Sequence, residues 1–233
     1  MQPEPAFLLH RRAYRETSAL VDLLTLNEGR ISAVARGVQR PGSRARSRLQ
    51  PFTPLHVTWQ GKGELKRLVV MESHGSTALL VGEALLCGLY ANELATRLLP
   101  NALRVADVFA FYGALLDALP TPVGRAPALR NYEFALLEAL DASPRFCTPQ
   151  GEALDPQRRY RFEPASRGFV EAPRGIEGRT LRLIDNGDWR APGLAGPLKV
   201  VLRAALTPLL GARPLRSREL MTALVQRRHR HAT

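Results

Sequence analysis

The 233-residue sequence contains few of the residues that build disulfide or metal frameworks. Its two cysteines, Cys87 and Cys147, are too few for a disulfide framework or for a structural zinc site built from cysteine. Cys87 lies in an apolar helical pattern, which is typical of a small buried hydrophobic side chain. We therefore expect a protein that resides in a reducing compartment and binds neither a metal ion nor another cofactor.

No segment has the pattern of a membrane span or of a secretion signal. The longest apolar region, residues 79–99, contains Glu83, Glu93 and Arg97, so we do not expect it to cross a bilayer. The N-terminal segment lacks the order of basic region, long apolar run and small-residue cleavage site that signal peptides share. These features predict a cytoplasmic protein without a membrane partner.

The sequence also lacks the common catalytic motifs. Its histidines form no HExxH motif and no ligand cluster with cysteine. No glycine-rich phosphate loop ends in Lys-Ser/Thr, and no Gly-x-Ser-x-Gly elbow occurs. The acids of the N-terminal region lie far apart, without the repeated carboxylates of two-metal nucleases. We predict that the protein is not an enzyme. The five histidines are His10, His56, His74, His229 and His231.

Negative charge is scarce in two long stretches of the chain. No Asp or Glu occurs from Gly29 to Gly63 or from Trp189 to Arg218. The whole chain has 33 Lys plus Arg against 21 Asp plus Glu, a formal net charge of +12. This excess predicts a polyanionic partner, either nucleic acid or an anionic membrane surface. The membrane surface is disfavoured because no basic amphipathic helix is prominent.

The first third of the chain has the pattern of a small β-barrel. Short runs rich in Leu, Val and Ile, separated by turn-forming residues, predict strands at 6–10, 18–26, 31–36, 55–60 and 64–72. Five short strands in about seventy residues favour a closed five-stranded barrel of the OB type. An SH3-like barrel is the alternative, which the pattern alone does not separate from it.

After Gly75 the periodicity becomes helical. Apolar residues recur every four positions up to Pro100, and further helical patterns cover 105–119, 129–140, 194–210 and 214–227. Residues of about 143–176 are irregular, although 160–171 is typical of a hairpin. The predicted fold class is therefore α+β in two parts. An OB-type barrel domain covers residues 1–76, and a mainly helical domain with the irregular insertion covers residues 77–233.

The basic residues of the first part concentrate near the predicted turns. Residues 35–52 carry five arginines and no acid, and we expect a flexible, phosphate-binding loop there. OB-type barrels bind single strands by following phosphates with a basic groove and stacking bases on aromatic side chains. Tyr14, Phe52 and Trp59 are candidate platforms, although each alone is more typical of a core residue. The basic tail at 227–231 is more typical of a solvated segment. The predicted nucleic-acid-binding residues are Arg11, Arg12, Arg15, Arg36, Arg40, Arg44, Arg46, Arg48, Lys62, Lys66 and Arg67.

Five segments agree in order and spacing with one known family. They are residues 6–43, 49–68, 88–100, 127–140 and 214–220. Their most specific pieces are Tyr14 with Glu16 and Ser18, the Thr25 to Gly29 turn, Ala35-Arg36-Gly37, Leu49-Gln50-Pro51-Phe52 and Tyr90 to Leu94. From about residue 6 to residue 220 the chain resembles RecO, a family of DNA repair and recombination mediators.

The resemblance implies an N-terminal OB domain, a helical C-terminal domain and association with the nucleoid when DNA is bound. It also implies binding of single- and double-stranded DNA, annealing of complementary strands, and, together with RecR, loading of RecA onto strands coated by the single-strand binding protein SSB. The family contacts the acidic, hydrophobic C-terminal tail of SSB through a pocket in the helical domain. For Arg130, the first candidate, a surface ion pair with Glu133 or Glu138 is the alternative. Arg130 aligns with a helix motif of the family, and the candidate residues for this pocket are Leu129, Arg130, Lys199 and Arg203.

One region departs from the family pattern. Some members bind zinc through four cysteines in the irregular region, whereas residues 145–155 of this chain contain Cys147 alone. The zinc site is therefore expected to be absent, and packing around Phe146 and Tyr160 is expected to hold the region. Two other functions stay open: an RNA-binding module, since such barrels bind RNA as readily, and an interaction scaffold whose basic face meets an acidic protein.

Overall fold

The computed structural model describes residues 2–73, 75, 78–187, 189 and 191–231, without the side chains of Val70, Val225 and residues 228–231. His74, the side chains of His229 and His231, and the predicted domain boundary at residues 76 and 77 lie outside the described residues. Among the helices of the described chain, none combines the length and the apolar character that crossing a membrane requires.

The N-terminal strands close into the predicted barrel. They are β1 (Glu4–Tyr14), β2 (Ser18–Thr25), β3 (Gly29–Ala35), β4 (Pro54–Gln60) and β5 (Leu65–Ser73), in the order β1-β2-β3-β5-β4. Neighbouring strands are antiparallel except β3 and β5, which pair in parallel. Alternate residues of β3 and β4 point inward and are buried, as a barrel wall requires. The predicted five-stranded barrel is thereby confirmed.

The segment between β3 and β4 differs from the expected loop. Residues Arg44–Arg48 form a short helix, α1, which contacts β5. Ala45 packs against the barrel core, and Leu49 directly after the helix is fully buried. Residues Arg44–Arg48 are therefore helical rather than a loop, because the apolar side chains of Ala45 and Leu49, four positions apart, pack onto the barrel. The expected flexibility of the segment stays a prediction.

The rest of the described chain is mainly helical, as predicted. Its elements are α2 (Gly82–Leu98), α3 (Ala106–Ala118), α4 (Pro122–Ala139), β6 (Arg159–Glu163), β7 (Gly168–Glu171), β8 (Ile176–Glu177), α5 (Gly178–Asp185), α6 (Ala195–Leu210) and α7 (Arg216–His231). The predicted hairpin is β6 with β7, and β8 pairs on the other side of β6. Helix α4 begins earlier than predicted because Pro122 is favourable in a first turn. Pro127 lies inside the helix, where it removes one backbone hydrogen bond.

Two compact units contain these elements. One unit comprises residues 1–120 and 215–233, which hold the barrel with α2, α3 and α7. The other comprises residues 121–214, which hold α4, α5, α6 and the three-stranded sheet. The division into domains at residues 1–76 and 77–233 follows the change from strands to helices, and it stays a prediction.

Within the first unit, buried polar groups join the barrel to helices α2 and α3. The Asn92 side-chain amide donates to the carbonyl oxygens of Leu9 at 3.0 Å and Leu8 at 3.5 Å, where β1 has a register shift. The Tyr112 hydroxyl donates to the Asn92 amide oxygen at 2.5 Å. Burial of Tyr112 raises the pKa of its phenol far above the ordinary value of 10.0. These bonds satisfy β1 carbonyls that the irregular ladder would otherwise leave unpaired.

Helix α7 is held against α2 at its first turn. The Glu93 carboxylate accepts bonds from the backbone N–H groups of Arg216 and Ser217, both at 2.9 Å, and from the Ser217 hydroxyl at 2.6 Å. Burial opposes the charge of this carboxylate, but the Ser217 and Arg216 bonds and the charge of Arg97 outweigh it and lower the pKa of Glu93. Glu93 therefore caps a helix that begins more than a hundred residues later in the chain.

The turn between β2 and β3 contacts the segment that follows α2. The hydroxyl of Thr25 donates to the carbonyl oxygen of Gly29 at 3.0 Å. Gly29 has a φ of +66°, and a Cβ atom added there would lie 1.7 Å from the carbonyl oxygen of Leu103. Only glycine allows this approach of two backbones. The Arg30 guanidinium then donates to the Leu99 carbonyl at 2.7 Å, so this arginine is part of the architecture.

An aromatic cluster fills the irregular region of the second unit. Phe169 is fully buried, with the ring of Phe146 stacked on it at 5.3 Å and that of Phe162 edge-on at 5.6 Å. The buried Tyr160 accepts a bond from the Asp155 N–H at 3.0 Å. Packing around Phe146 and Tyr160 was expected and is observed. In the described chain, no three His, Cys, Asp or Glu residues are grouped as a metal site would need.

Candidate nucleic-acid interface

The strand register brings three chain segments to one end of the barrel. Tyr14 at the end of β1 pairs with Ser18 at the start of β2. Near the start of β5, Arg67 pairs with Val34 on one side and with Gln60, the last residue of β4, on the other. The β1–β2 turn, the end of β3 with the segment after it, and the β4–β5 turn therefore share one end. We name residues 11–18, 35–48 and 60–67 the basic barrel end.

All eleven predicted nucleic-acid-binding residues belong to the basic barrel end, and all except the half-buried Lys66 are exposed. The acids at this end are Glu16 and Glu64. Within the described chain none of the eleven forms an ion pair, so their charge is not neutralised internally. The opposite end of the barrel carries Glu4, Glu28 and Glu72. The barrel is thus positive at one end and acidic at the other.

Two arginines of this end are fixed by backbone carbonyls. Arg11 on β1 donates to the Leu49 carbonyl oxygen at 3.1 Å, and Arg48 on α1 donates to the Met71 carbonyl oxygen at 3.3 Å. Each bond uses one of the five N–H donors of a guanidinium and leaves others for a ligand. Because a fixed guanidinium loses less side-chain entropy on binding, these two are prepared to contact phosphate.

The predicted aromatic platforms are mostly in the core, which corrects that part of the prediction. Trp59 is 4% exposed and packs in the barrel interior. Phe52 is 5% exposed and lies against α2, where a Cβ atom on Gly88 would come within 2.8 Å of its ring. Tyr14 is only half-buried, and the Arg15 guanidinium lies 5.1 Å from its ring centroid. The interface is therefore mainly electrostatic.

Clefts lined by arginines and some aliphatic residues lie on both sides of α1, a feature that sequence reasoning missed. Val38 contributes to both clefts, and Leu68 and Val69 contribute to one of them. Leu68 and Val69 are apolar residues of a strand, and Val38 follows one. No sequence signal distinguishes such residues from core residues that ligands never contact.

The candidate residues for an SSB-tail pocket lie on α4 and α6, which pack together in the second unit. Leu129 is buried, and the side chain of its neighbour Arg130 is 11% exposed. The Arg130 guanidinium pairs with Glu133 at 3.0 Å. The alternative considered for Arg130, an ion pair with Glu133, is therefore present, but it is buried rather than on the surface. In the described chain the Nε atom of Arg130 has no hydrogen-bond partner.

Helix α6 presents the other two candidate residues to solvent. Lys199 and Arg203 are both exposed and lie one helical turn apart. Between them Val200 is 61% exposed. The face therefore combines positive charge with an uncovered apolar side chain, which is the chemistry that an acidic, hydrophobic peptide requires.

Comparisons with known proteins agree over nearly the whole chain. The family model described as "Recombination protein O N terminal" matches residues 1–77, and "Recombination protein O C terminal" matches residues 80–219. A protein named DNA repair protein RecO from Alteromonas mediterranea is 40% identical over 223 residues, covering 92% of this chain and 94% of that protein. A protein of the same name from Pseudomonas aeruginosa is 40% identical over 222 residues, which cover 93% of this chain and 93% of that protein. One from Actinobacillus pleuropneumoniae is 37% identical, covering 94% of each.

Proposed function

Because the chain belongs to the RecO family of DNA repair and recombination proteins, we propose that it works without catalysis as a cytoplasmic recombination mediator. In this role it binds single- and double-stranded DNA through the basic barrel end and anneals complementary strands. Together with RecR, it helps load RecA onto single strands coated by SSB. The family establishes the role in DNA repair and recombination, and these finer steps are what we propose for this chain.

One observation carries the proposal: eleven basic side chains against two acids at one end of the barrel, with no ion pair among the eleven in the described chain. Such a surface gains affinity by releasing the counterions condensed on DNA. It also screens the repulsion between two strands, which is all that annealing requires of a protein. Because the interface has few accessible aromatic rings, we expect it to contact phosphates rather than bases. Phosphate contacts suit single and double strands alike and carry little sequence preference.

For the SSB tail we propose two contacts in the second unit. The Nε atom of Arg130 is buried and has no partner in the described chain, so a carboxylate that shares the guanidinium with Glu133 would bind there by displacing the side chains that cover it. Lys199 and Arg203, with Val200 between them, support a second contact for the acidic and hydrophobic residues of the tail. An Arg130→Ala change alone would leave the buried Glu133 without this counterion, at a cost of about 3–5 kcal/mol. The informative variant is therefore Arg130→Leu combined with Glu133→Leu.

The test is the annealing rate of two complementary oligonucleotides, measured bare and measured after each has been coated with SSB. We expect the protein to accelerate both reactions. The Arg130→Leu/Glu133→Leu variant should keep the rate on bare strands and lose acceleration on coated strands. Equal loss on both would mean that the tail site is misplaced. No acceleration of either reaction by the unchanged protein would contradict the proposal. Competition with RNA oligonucleotides would then test the RNA-binding alternative.

A further inference from the structure

Helix α1 separates two clefts of the basic barrel end. The cleft on the β3–β5 side has a volume of about 260 Å³, and its charged lining residues are Arg36 and Arg48. The cleft on the β1–β2 side has a volume of about 190 Å³, and its charged lining residues are Arg11 and Arg46. Val38 contributes to both, so the two clefts are immediate neighbours. We name them the β5 cleft and the β1 cleft.

The two clefts have the same chemical plan. Each contains one arginine fixed by a backbone carbonyl: Arg48 in the β5 cleft and Arg11 in the β1 cleft. Each also contains an exposed arginine, Arg36 or Arg46, whose side chain has no hydrogen bond or ion pair in the described part of the chain. Neither cleft has an acidic lining residue. An anion therefore meets two guanidinium groups and no opposing charge in either cleft.

Both clefts also have aliphatic lining residues beside their arginines. Leu68, Val69 and Met71 line the β5 cleft, and Ala13 and Ala19 line the β1 cleft. Val69 is 46% exposed, so part of this apolar surface lacks a cover. A nucleotide of a single strand presents a phosphate for the arginines and the apolar face of its sugar for the aliphatic residues, which leaves its base available for pairing. Both volumes are below the roughly 300–1,000 Å³ of small-molecule sites, which favours one short piece of an extended chain over an enclosed cofactor.

We infer that the basic barrel end holds two single strands of DNA at once, one in each cleft, with α1 between them. The inference rests on the proposed DNA binding and specifies how one molecule would bring two strands together. A helix with its side chains is about 10–12 Å across, so the two backbones lie near each other while arginines screen both. Bases that extend past the short helix can then meet and begin to pair.

The test counts strands on one protein molecule. Non-complementary oligonucleotides of about six nucleotides, near the lower limit of OB-fold site sizes, carry a donor or an acceptor fluorophore. Titration gives the number bound per chain, and energy transfer reports that a donor strand and an acceptor strand are held together. The unchanged protein should bind two strands per chain and show energy transfer.

A double substitution removes the positive charge of each cleft in turn. Arg36→Gln with Arg48→Gln removes the charge of the β5 cleft, and Arg11→Gln with Arg46→Gln removes that of the β1 cleft. Each variant should bind one strand per chain, lose energy transfer and lose annealing, while still binding DNA. The control is Arg174→Gln with Arg182→Gln, two exposed arginines of the second unit, which removes the same charge and should still bind two strands.

Two single substitutions are designed to leave folding unchanged. Arg36→Glu and Arg46→Glu each alter a side chain that makes no internal bond in the described chain, and thermal unfolding checks that the fold is retained. Each should also reduce the count from two to one. Saturation of the unchanged protein at one strand, or a count of two after either pair of changes, would overturn the inference while leaving the proposed function intact. Absence of any DNA binding would instead overturn the proposed function as well.

Discussion

The basic barrel end and the joint between β1, α2, α3 and α7 belong to the same unit but use their polar side chains in opposite ways. At the joint, Asn92 and Glu93 direct their polar atoms at backbone groups of other elements. At the basic barrel end, the arginines on β1, α1 and the turns form no ion pairs in the described chain, and only Arg11 and Arg48 among them donate to backbone carbonyls. The polar groups of the joint stabilise the fold through internal hydrogen bonds, whereas the charges of the basic barrel end have no ion-pair partner in the described chain and are available to a ligand.

The difference separates polar side chains that hold the architecture, such as Asn92 and Glu93, from the basic side chains of the candidate interface. A buried polar group without a partner costs about 1–3 kcal/mol, so the joint has a strict requirement for particular side chains. A cluster of like charges at a surface slightly destabilises the folded state through repulsion. Its presence is therefore better explained by binding than by stability. Changes at the joint should alter stability and leave DNA affinity unchanged, and changes at the basic barrel end should do the reverse.

The largest effect is expected at Asn92. Replacing it by Ala leaves the carbonyl oxygen of Leu9 and the hydroxyl of Tyr112 without the bonds that Asn92 makes, for a loss of about 3 kcal/mol in the free energy of unfolding. Urea denaturation would measure this loss, and DNA affinity measured well below the transition should be unchanged. A matched control is Thr222→Ala on the exposed surface of α7, which should change stability by less than about 0.5 kcal/mol. A loss of DNA affinity in folded Asn92→Ala would contradict the claim that the joint affects stability alone.

A smaller effect is expected at Glu93. Glu93→Gln keeps the size of the cap but removes its charge beside the first turn of α7, for a loss of about 1 kcal/mol. Because the folded-state pKa of Glu93 lies below its ordinary value of 4.5, the charge stabilises the fold fully above that pH. This stabilisation disappears as the pH falls through the lowered pKa. Unfolding curves at pH 7 and at successively lower pH should therefore show the two proteins converging in acid. A constant difference across that range would contradict the assigned role.

The smallest effect is expected on DNA binding at Trp59. Trp59→Phe keeps an aromatic ring in the barrel core and should change DNA affinity by less than about twofold, or about 0.4 kcal/mol. Fluorescence anisotropy with labelled single strands would measure it. Tyr14→Ala is the variant to compare with it, because the half-buried ring of Tyr14 is partly accessible at the basic barrel end. A loss of about tenfold or more for Trp59→Phe, with the fold intact, would mean that base stacking involves the barrel interior.

Strands and long helices could be predicted from the sequence because their periodicity reports which faces are buried. The charge of the basic barrel end could also be predicted, since its residues cluster along the chain. Helix α1 could not, because five residues are too short for a periodic pattern. The position of Trp59 depended on which face of β4 its side chain joined, and that of Phe52 depended on its packing against α2. The burial of Arg130 with Glu133 depended on tertiary packing of α4, which local sequence does not encode.

The most direct test of the account is the salt dependence of single-strand binding after Arg44→Ala, Arg46→Ala and Arg48→Ala together. Alanine keeps α1 helical, and three lost phosphate contacts should reduce the slope of log affinity against log salt by about 2. At about 0.1 M salt this corresponds to a roughly hundredfold loss of affinity. The control with Arg161→Ala, Arg174→Ala and Arg182→Ala removes equal charge from the second unit and should keep the slope. An unchanged slope in the α1 variant, or an equal decrease in the control, would contradict the claim that the basic barrel end is the DNA interface.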